Sequence, residues 1–418
     1  MSYFQINGGR RLRGELNVQG AKNSVLPILA ATVLLEGQSV IKNCPRLRDV
    51  DITLQILRHL GCKVTRNGNE ITVDASTVTC ADVPHELMDS MRSSIVFMGA
   101  LLARCGEATA GMPGGCDIGL RPIDLHLNAL GKLGAEIYTE GGRIVTKAER
   151  LKGCDIALTF PSVGATENAM LAASRAEGLT RIQNAACEPE IVDLARFLMS
   201  CGVRVGGAGT PTISIRGGLT AREVTHTVIA DRIVAATYMA AVAAAGGEVW
   251  LNKVDTRQCG AVIAALTQAG CRIEIHASRL YVEQTGRLQA VPLLKTMPYP
   301  GFPTDAQAPL MAALTKAQGT SVVVETIFEN RYRHVGELAR MGADIKIEGR
   351  AAVVMGVEAL QGARVESPDL RSGAALVVAG LGANGTTQVN NIKYIDRGYD
   401  RLEDALVAIG ADIVRVQG

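Results

Sequence analysis

The sequence predicts an α/β (α+β) protein of two domains, assembled from six copies of one small helix-and-strand unit. Two interleaved series of glycines carry this prediction, because internal repetition at a regular period indicates a repeated structural unit. The chain has 418 residues, more than a single hydrophobic core usually accommodates. Six units in a chain of this length favour two domains of three units each.

In the first series, a glycine ends an apolar helical pattern and a short strand pattern follows it. Successive members are 73, 68, 68, 72 and 68 residues apart. The members are Gly61, Gly134, Gly202, Gly270, Gly342 and Gly410. A glycine just past a helix can take the left-handed conformation that ends it, so these positions predict six helix ends.

In the second series, a glycine again follows an apolar helical run, and β-branched residues after most members favour a strand. The members are Gly37, Gly106, Gly178, Gly247, Gly319 and Gly385. One unit therefore reads helix, strand, helix, strand, turn, strand. The turn is clearest at Asn67-Gly68, ahead of the alternating residues 70–73. The sixth unit lacks its last strand, and the alternating residues 4–6 and 16–18 are expected to supply the missing strands.

Composition excludes several classes of protein. The formal net charge is +2, too weak to indicate a nucleic acid or membrane-surface partner. No apolar stretch reaches the ~20 residues that span a bilayer, and residues 1–5 show no secretory leader. We therefore expect a cytoplasmic protein with no membrane insertion. Apolar content is 47% with only 4% aromatic residues, so small side chains are expected to let helices pack closely.

The ten cysteines are scattered, without a Cys-x-x-Cys pair or a Cys/His cluster of zinc spacing. Cys62, Cys201 and Cys271 occupy repeat positions that other units fill with apolar residues, so they are predicted to lie in the core. No metal site is expected.

The repeat also aligns the helix starts, and many of them carry a basic residue. The first helix of each unit is predicted to begin near Lys22, Arg92, Gly164, Arg232, Asp305 and Arg371. The second is predicted to begin near Arg48, Arg121, Pro189, Arg257, Glu329 and Arg397. Cations oppose the positive end of the helix dipole, and an anion held jointly by side chain and helix terminus would compensate. The alternative is an ordinary solvated loop residue at each position.

Three further features bear on chemistry. Residues 111–122 hold four glycines and two prolines around Cys116; Arg121 could stabilise its thiolate, or the thiol is incidental. Asp305 is either a helix cap or a general base among cations. Residues 20–24 resemble the tail of a phosphate loop, but the upstream glycine is absent, so nucleotide hydrolysis is disfavoured.

Five motifs together resemble the UDP-N-acetylglucosamine 1-carboxyvinyltransferase family, and the likeness covers the whole chain. The motifs are residues 20–23, 113–122, 162–166, 299–305 and 395–398. The resemblance implies a two-domain inside-out α/β barrel of six βαβαββ units. With the unit boundaries, it predicts a first domain of residues 21–229 and a second of residues 1–20 with 230–418.

The activity that the resemblance implies is transfer of the enolpyruvyl group of phosphoenolpyruvate to the 3-hydroxyl of UDP-N-acetylglucosamine, with release of phosphate. In the family this is the committed step of peptidoglycan synthesis, and it requires no metal or organic cofactor. Cys116 is implied as the proton donor to the methylene carbon and as the target of the epoxide antibiotic fosfomycin. Asp305 is implied as the base toward the sugar hydroxyl.

The resemblance also implies a set of substrate-binding residues. Lys22, Arg121 and Arg397 are expected to hold phosphoenolpyruvate, with Arg331 and Arg371 nearby. The sugar-nucleotide or adjacent positions are Asn23, Arg92, Arg121, Pro122, Ile123, Asp124, Leu125, Ser162, Val163, Gly164 and Ile327. Two positions depart from the family, with Phe160 where some members carry Lys and Cys187 where Arg is expected.

Two rival functions stay open at this point. A shikimate-type enolpyruvyl transferase shares the fold and the cations but lacks the Pro-Gly-Gly-Cys loop that Cys116 occupies. A non-catalytic repeat protein that binds an anion would need neither Cys116 nor Asp305.

Overall fold

The computed structural model describes residues 2–111 and 123–417, apart from the side chain of Arg92, and it separates into two compact units. We call residues 20–111 with 123–229 the N-unit, and residues 2–19 with 230–417 the C-unit.

The α-helices in the described ranges are α1 (Lys22–Ala31), α2 (Arg48–His59), α3 (His85–Ser90), α4 (Phe97–Cys105), α5 (Asp124–Lys132), α6 (Val163–Ala173), α7 (Pro189–Ser200), α8 (Arg232–Ala245), α9 (Gly260–Gln268), α10 (Thr304–Leu314), α11 (Val335–Arg340), α12 (Leu370–Gly382) and α13 (Leu402–Ala408). Short 3-10 helices lie at Thr32–Leu34, Arg92–Val96, Thr256–Cys259 and Ile392–Arg397.

The strands are β1 (Tyr3–Asn7), β2 (Leu12–Asn17), β3 (Gln38–Lys42), β4 (Lys63–Asn67), β5 (Glu70–Asp74), β6 (Asp82–Val83), β7 (Glu107–Gly111), β8 (Glu136–Glu140), β9 (Arg143–Lys147), β10 (Asp155–Ala157), β11 (Leu179–Gln183), β12 (Arg204–Gly206), β13 (Thr212–Arg216), β14 (Glu223–Thr227), β15 (Gly247–Asn252), β16 (Arg272–His276), β17 (Arg279–Gln284), β18 (Leu294–Lys295), β19 (Thr320–Val324), β20 (Asp344–Glu348), β21 (Ala351–Met355), β22 (Arg364–Glu366), β23 (Thr386–Asn390) and β24 (Asp412–Val416).

These strands form six four-stranded sheets with one shared topology. The N-unit holds β14-β3-β5-β4, β6-β7-β9-β8 and β10-β11-β13-β12, and the C-unit holds β2-β15-β17-β16, β18-β19-β21-β20 and β22-β23-β1-β24. In every sheet the first two strands pair in parallel and the other pairs are antiparallel. Each of the six repeats is therefore a βαβαββ unit, and the predicted α/β class is confirmed.

The beginning of the chain supplies strands to two sheets, as the sequence predicts. β1 lies between β23 and β24, with Phe4 opposite Val389 in one pairing and Ile6 opposite Ile413 in the other. β2 pairs in parallel with β15. In the same way β14, late in the N-unit, provides the first strand of the sheet that contains β3.

The first series of glycines lies where the pattern places it. All six members have φ between +91° and +103°, the left-handed region that side chains with a Cβ rarely enter. Each follows a helix of its unit and precedes a strand. The prediction of six helix ends is confirmed.

Three helices pack together in the core of the C-unit. In the C-unit, α8, α10 and α12 contact one another, and residues 233–244, 306–314 and 371–382 of these helices are buried. Alanine and glycine are frequent among these residues, which lets the backbones approach closely. The expectation from composition is thus confirmed.

Lys316 joins the ends of these three helices. It follows α10, and its Nζ donates to the carbonyl oxygens of Gly382 at 2.6 Å and Ala244 at 3.2 Å. A cation at helix C-termini is favoured by the macrodipole. Burial lowers the pKa of Lys316 below its ordinary value. This ammonium therefore satisfies carbonyls of α8 and α12 that helix ends leave without an intrahelical donor.

No helix in residues 2–111 and 123–417 is long and apolar enough to cross a membrane. The nine described cysteines carry free thiols. Cys62, Cys201 and Cys271 are buried, as predicted, and burial raises the pKa of each thiol.

Candidate active site

The predicted site residues divide between the two compact units. Asp305, Ile327, Arg331, Arg371 and Arg397 belong to the C-unit. Lys22, Asn23, Arg92, Ile123, Asp124, Leu125, Ser162, Val163 and Gly164 belong to the N-unit. Cys116, Arg121 and Pro122 lie outside the described residues, as does the side chain of Arg92.

The C-unit brings a carboxylate together with two guanidinium groups. Asp305 lies in the first turn of α10, where the helix dipole favours an acidic residue. Arg331 Nη2 donates to Asp305 Oδ1 at 2.5 Å, and Arg371 Nη2 donates to Oδ2 at 2.9 Å. Both arginine side chains are 3% exposed, whereas that of Asp305 is 26% exposed. The carboxylate therefore reaches the surface from between two buried cations.

The start of α12 fixes Arg371. Asp369 caps this helix and accepts hydrogen bonds from the backbone N–H groups of Arg371 and Ser372. The Arg371 guanidinium also reaches the Tyr399 hydroxyl, with 3.3 Å between Nη1 and the oxygen, and Tyr399 is hydrogen-bonded to Thr237 at 2.8 Å. Burial by itself would lower the pKa of Arg371, but Asp305 and other neighbours raise it above its ordinary value. Arg371 is thus a permanent, oriented cation.

Arg331 is held from the loop that precedes α11. Its Nη2 also approaches the Thr304 carbonyl oxygen at 3.4 Å, and its guanidinium carbon lies 5.6 Å from the centre of the Phe328 ring. The buried Nε atoms of Arg331 and Arg371 have no hydrogen-bond partner in the part of the chain that the structure describes. Asp231 also acts on Arg371 and raises its pKa, and the two oriented guanidinium groups that meet at Asp305 suit an anionic ligand.

Two predicted helix starts are wrong. Arg397 is the last residue of the 3-10 helix Ile392–Arg397, and α13 begins only at Leu402. Glu329 lies in the turn before α11, which begins at Val335. The 3-10 helix carrying Arg397 packs against α12, the helix that carries Arg371. Repeat spacing mispredicts these two helix starts because, in the fifth and sixth repeats, an irregular turn precedes the second helix.

In the N-unit, Lys22 begins α1 and is paired within the protein. Its Nζ lies 2.7 Å from Asp49 Oδ2, with side-chain exposures of 13% for Lys22 and 1% for Asp49. Asp49 lies in the first turn of α2. Ala21, which occupies the N-cap position of α1, makes no side-chain capping hydrogen bond. The carboxylate of Asp49 therefore supplies part of the compensation that the sequence argument assigned to an outside anion.

A buried network holds the residues that follow Lys22. Ser24 Oγ donates to Asp193 Oδ2 at 2.5 Å, and Asp193 also bonds His226 Nε2 at 3.0 Å and the backbone N–H of Ile229 at 3.2 Å. Asp193 is 1% exposed. This carboxylate links α1 to α7 and to the segment after β14, and sequence reasoning did not single it out.

Two other predicted segments meet at the start of α6. Ser162 caps this helix and accepts from the backbone N–H of Ala165 at 3.3 Å, and Val163 and Gly164 form the first turn. A Cβ at Gly164 would lie 2.9 Å from His126 Cε1. Since α5 packs on α6, residues 123–126 and 162–164 are neighbours. Gly164 is thus a position of close approach.

His126 is a residue of this region that sequence reasoning missed. It is 7% exposed, and its Nδ1 lies 2.8 Å from Asn168 Nδ2. Asn168 also bonds backbone atoms of Ile95 and Gly99.

Asn23, the second residue of α1, is half-buried. Of the two departures from the family, Phe160 is 44% exposed, and burial raises the pKa of the Cys187 thiol.

Comparison with known proteins identifies the family. The model of EPSP synthase (3-phosphoshikimate 1-carboxyvinyltransferase) matches residues 6–406. Proteins named UDP-N-acetylglucosamine 1-carboxyvinyltransferase 2 from Caldanaerobacter subterraneus subsp. tengcongensis and Carboxydothermus hydrogenoformans are 54% and 50% identical to this chain. The alignments span 416 and 418 residues and cover 100% of both chains in each case.

Among solved structures, the enolpyruvyl transferase NikO from Streptomyces tendae superposes with a TM-score of 0.88 at 26% identity, over 99% of this chain and 98% of that one. EPSP synthase from Acinetobacter baumannii superposes with a TM-score of 0.75 at 20% identity over 100% of both chains, which concerns the fold alone. Full-length identity near 50%, the family match and the shared six-sheet fold agree, so this chain belongs to the EPSP synthase family of enolpyruvyl transferases.

Proposed function

We propose that this protein transfers the enolpyruvyl group of phosphoenolpyruvate to the 3-hydroxyl of UDP-N-acetylglucosamine and releases phosphate, the committed step of peptidoglycan synthesis. The observation that carries the proposal is Asp305 held between Arg331 and Arg371. The chain is also 47–54% identical over its full length to proteins named for this reaction. Their names favour a sugar nucleotide over shikimate 3-phosphate as the acceptor.

The reaction adds the sugar hydroxyl across the double bond and then eliminates phosphate. In the addition, a bond forms between the 3-oxygen and C2 of phosphoenolpyruvate, the methylene carbon gains a proton, and the hydroxyl loses one. In the elimination, the bond from C2 to the phosphate oxygen breaks and the methyl carbon loses a proton, which restores the vinyl group. We assign Asp305 as the base toward the hydroxyl and Cys116 as the acid toward the methylene carbon.

The tetrahedral intermediate carries phosphate and carboxylate together, so it requires several fixed cations. We assign Lys22, Arg121 and Arg397 to phosphoenolpyruvate, with Arg331 and Arg371 supplying further positive charge. Preorganised donors of this kind stabilise the charge of an intermediate better than water does, because they need not reorient. The burial of Arg331 and Arg371 supports this assignment, since both groups are fixed before any ligand binds.

We assign the sugar nucleotide to Asn23, Arg92, residues 121–125, residues 162–164 and Ile327. The contact of α5 with α6 supports a shared role for residues 123–125 and 162–164. We also propose domains of residues 21–229 and of residues 1–20 with 230–418, a cytoplasmic location, and no nucleic acid partner.

The test is phosphate release from phosphoenolpyruvate with each acceptor in turn. We expect release with UDP-N-acetylglucosamine and none with shikimate 3-phosphate, and mass spectrometry should show the enolpyruvyl ether of the sugar nucleotide. Asp305→Asn should reduce kcat at least about a hundredfold, in the range that general acid–base catalysis contributes. Release with shikimate 3-phosphate alone would favour the other transferase. Binding of phosphoenolpyruvate without phosphate release in the presence of either acceptor would indicate a non-catalytic protein.

A further inference from the structure

A buried carboxylate lies immediately behind the Asp305 cluster. Glu325 follows β19 and is 1% exposed. Its Oε1 accepts from Thr296 Oγ1 at 3.0 Å and from the backbone N–H groups of Ile327 at 2.8 Å and Phe328 at 3.1 Å. Its Oε2 accepts from Thr304 Oγ1 at 2.9 Å. A single side chain therefore receives four hydrogen bonds from three segments of the C-unit.

Two of these segments carry groups of the proposed site. Thr304 is the residue before Asp305 and begins α10. Ile327 and Phe328 open the turn that leads to Arg331. Arg331 in turn donates to Asp305 and approaches the Thr304 carbonyl. A closed ring of contacts therefore runs from Glu325 through Thr304 and Asp305 to Arg331, and back along the chain to Glu325.

The geometry excludes a direct chemical role for Glu325. Three protein donors meet Oε1 and one meets Oε2, and only 1% of the residue is exposed. The group also lacks the exposure that a substrate contact requires. What remains is orientation of the segments that donate to it.

We propose that Glu325, acting through Thr304, is a positioning residue for Asp305 and Arg331. This proposal rests on the transfer reaction proposed above. The bond from Thr304 fixes the first turn of α10 relative to the turn at residues 325–328. Asp305 is then held where its carboxylate meets the guanidinium of Arg331. Proton transfer from the sugar hydroxyl depends on this placement, whereas binding of the nucleotide is assigned largely to other residues.

The test removes the link without disturbing the buried carboxylate. Thr304→Val keeps the shape of a half-buried side chain and deletes the donor to Glu325. We expect kcat for phosphate release to fall about tenfold, since small misplacements at a reacting group cost between ten- and a hundredfold. The KM for UDP-N-acetylglucosamine should change less than about twofold, because the step affected is proton transfer rather than uniform binding.

Two variants control for other effects. Thr304→Ser retains the hydroxyl and should recover most of kcat. Thr315→Val makes the same chemical change at the other end of α10, where the hydroxyl donates only to the Ala312 carbonyl at 2.7 Å, and should leave kcat unchanged. A normal kcat in Thr304→Val, or equal losses in Thr304→Val and Thr304→Ser, would overturn the proposal.

Amide hydrogen exchange supplies a readout that does not depend on activity. Thr304→Val should speed exchange in peptides covering residues 304–308 and 325–331, and Thr304→Ser should not. Unchanged exchange in both peptides would also overturn the positioning role. If the wild-type protein releases no phosphate with any acceptor, the proposed reaction fails, and the exchange comparison still decides whether Glu325 orders these segments.

Discussion

Acidification should destabilise this protein through one buried histidine, His334, at the start of α11. His334 is 0% exposed, and neither of its ring nitrogens has a hydrogen-bond partner within the described ranges. Burial lowers the pKa of His334 from the ordinary 6.5 to about 4, with the charge of Asp369 opposing this shift and the charge of Arg331 reinforcing it. The folded protein therefore holds a neutral imidazole at pH values where the unfolded chain binds a proton.

The sign and size of the effect follow from linkage. Since the folded pKa is depressed, the contribution to stability is fully present above pH 6.5 and is lost as the pH falls toward 4. With pKa values of 6.5 and about 4, the free energy of unfolding should decrease by about 2 kcal/mol at pH 5, relative to pH 7.5. The full loss, well below pH 4, should be roughly 3 kcal/mol.

The assay compares urea unfolding at pH 7.5 and pH 5 for the wild type and for His334→Phe. The variant cannot bind the proton, and it removes two ring nitrogens that lack partners, so it should lose about 2 kcal/mol less than the wild type on acidification. His59→Phe, at an exposed position of α2, serves as the control and should retain the wild-type pH dependence. Equal acid losses in the wild type and His334→Phe would refute the reasoning.

Three further predictions concern charge and chemistry. Lys22→Ala should abolish most turnover and lower the free energy of unfolding by about 3 kcal/mol, because Asp49 loses a buried ion-pair partner; adding Asp49→Asn should restore urea stability but not phosphate release. Fosfomycin should label Cys116 by peptide mass spectrometry, and Cys116→Asp should lose the label yet keep more turnover than Cys116→Ala, because only a carboxylic acid can replace the proton donor. Lys316→Met should lower the urea unfolding free energy by about 2 kcal/mol, since carbonyls of α8 and α12 lose their donor; unchanged stability would contradict the role assigned to this ammonium.

The repeat could be predicted from sequence because it depends on local backbone chemistry. Gly61 and its five counterparts occupy left-handed conformations that other residues avoid, so glycine recurs after the second helix of every repeat. Apart from β2, the first strand of each repeat could not be found in this way. β6 and β18 have only two residues each, too few to show alternation. The resemblance to a family supplied that strand, and the sheet pairing confirms it.

The residues that orient the candidate site were not predictable for a different reason. Glu325 is one carboxylate among many in the sequence, and its significance comes from Thr296 and Thr304, which lie 29 and 21 residues away. Asp193 is similar, since its partner Ser24 is 169 residues distant. Periodicity reports which face of an element is buried, but it carries no information on which distant donors meet a buried acceptor.

Basic residues at helix starts can be compensated within the protein as well as by ligands. Lys22 and Arg371 both lie at or beside a helix start, against the macrodipole, and each is held by a carboxylate of the same chain, Asp49 and Asp305 respectively. Compensation therefore does not by itself require an external anion. The two ion pairs differ in the number of cations at the carboxylate, because Asp305 is shared between Arg371 and Arg331. Both guanidinium groups are buried, so two oriented cations are fixed at one carboxylate that reaches the surface. It is this convergence, more than the position of any cation on a helix, that suits an anionic substrate.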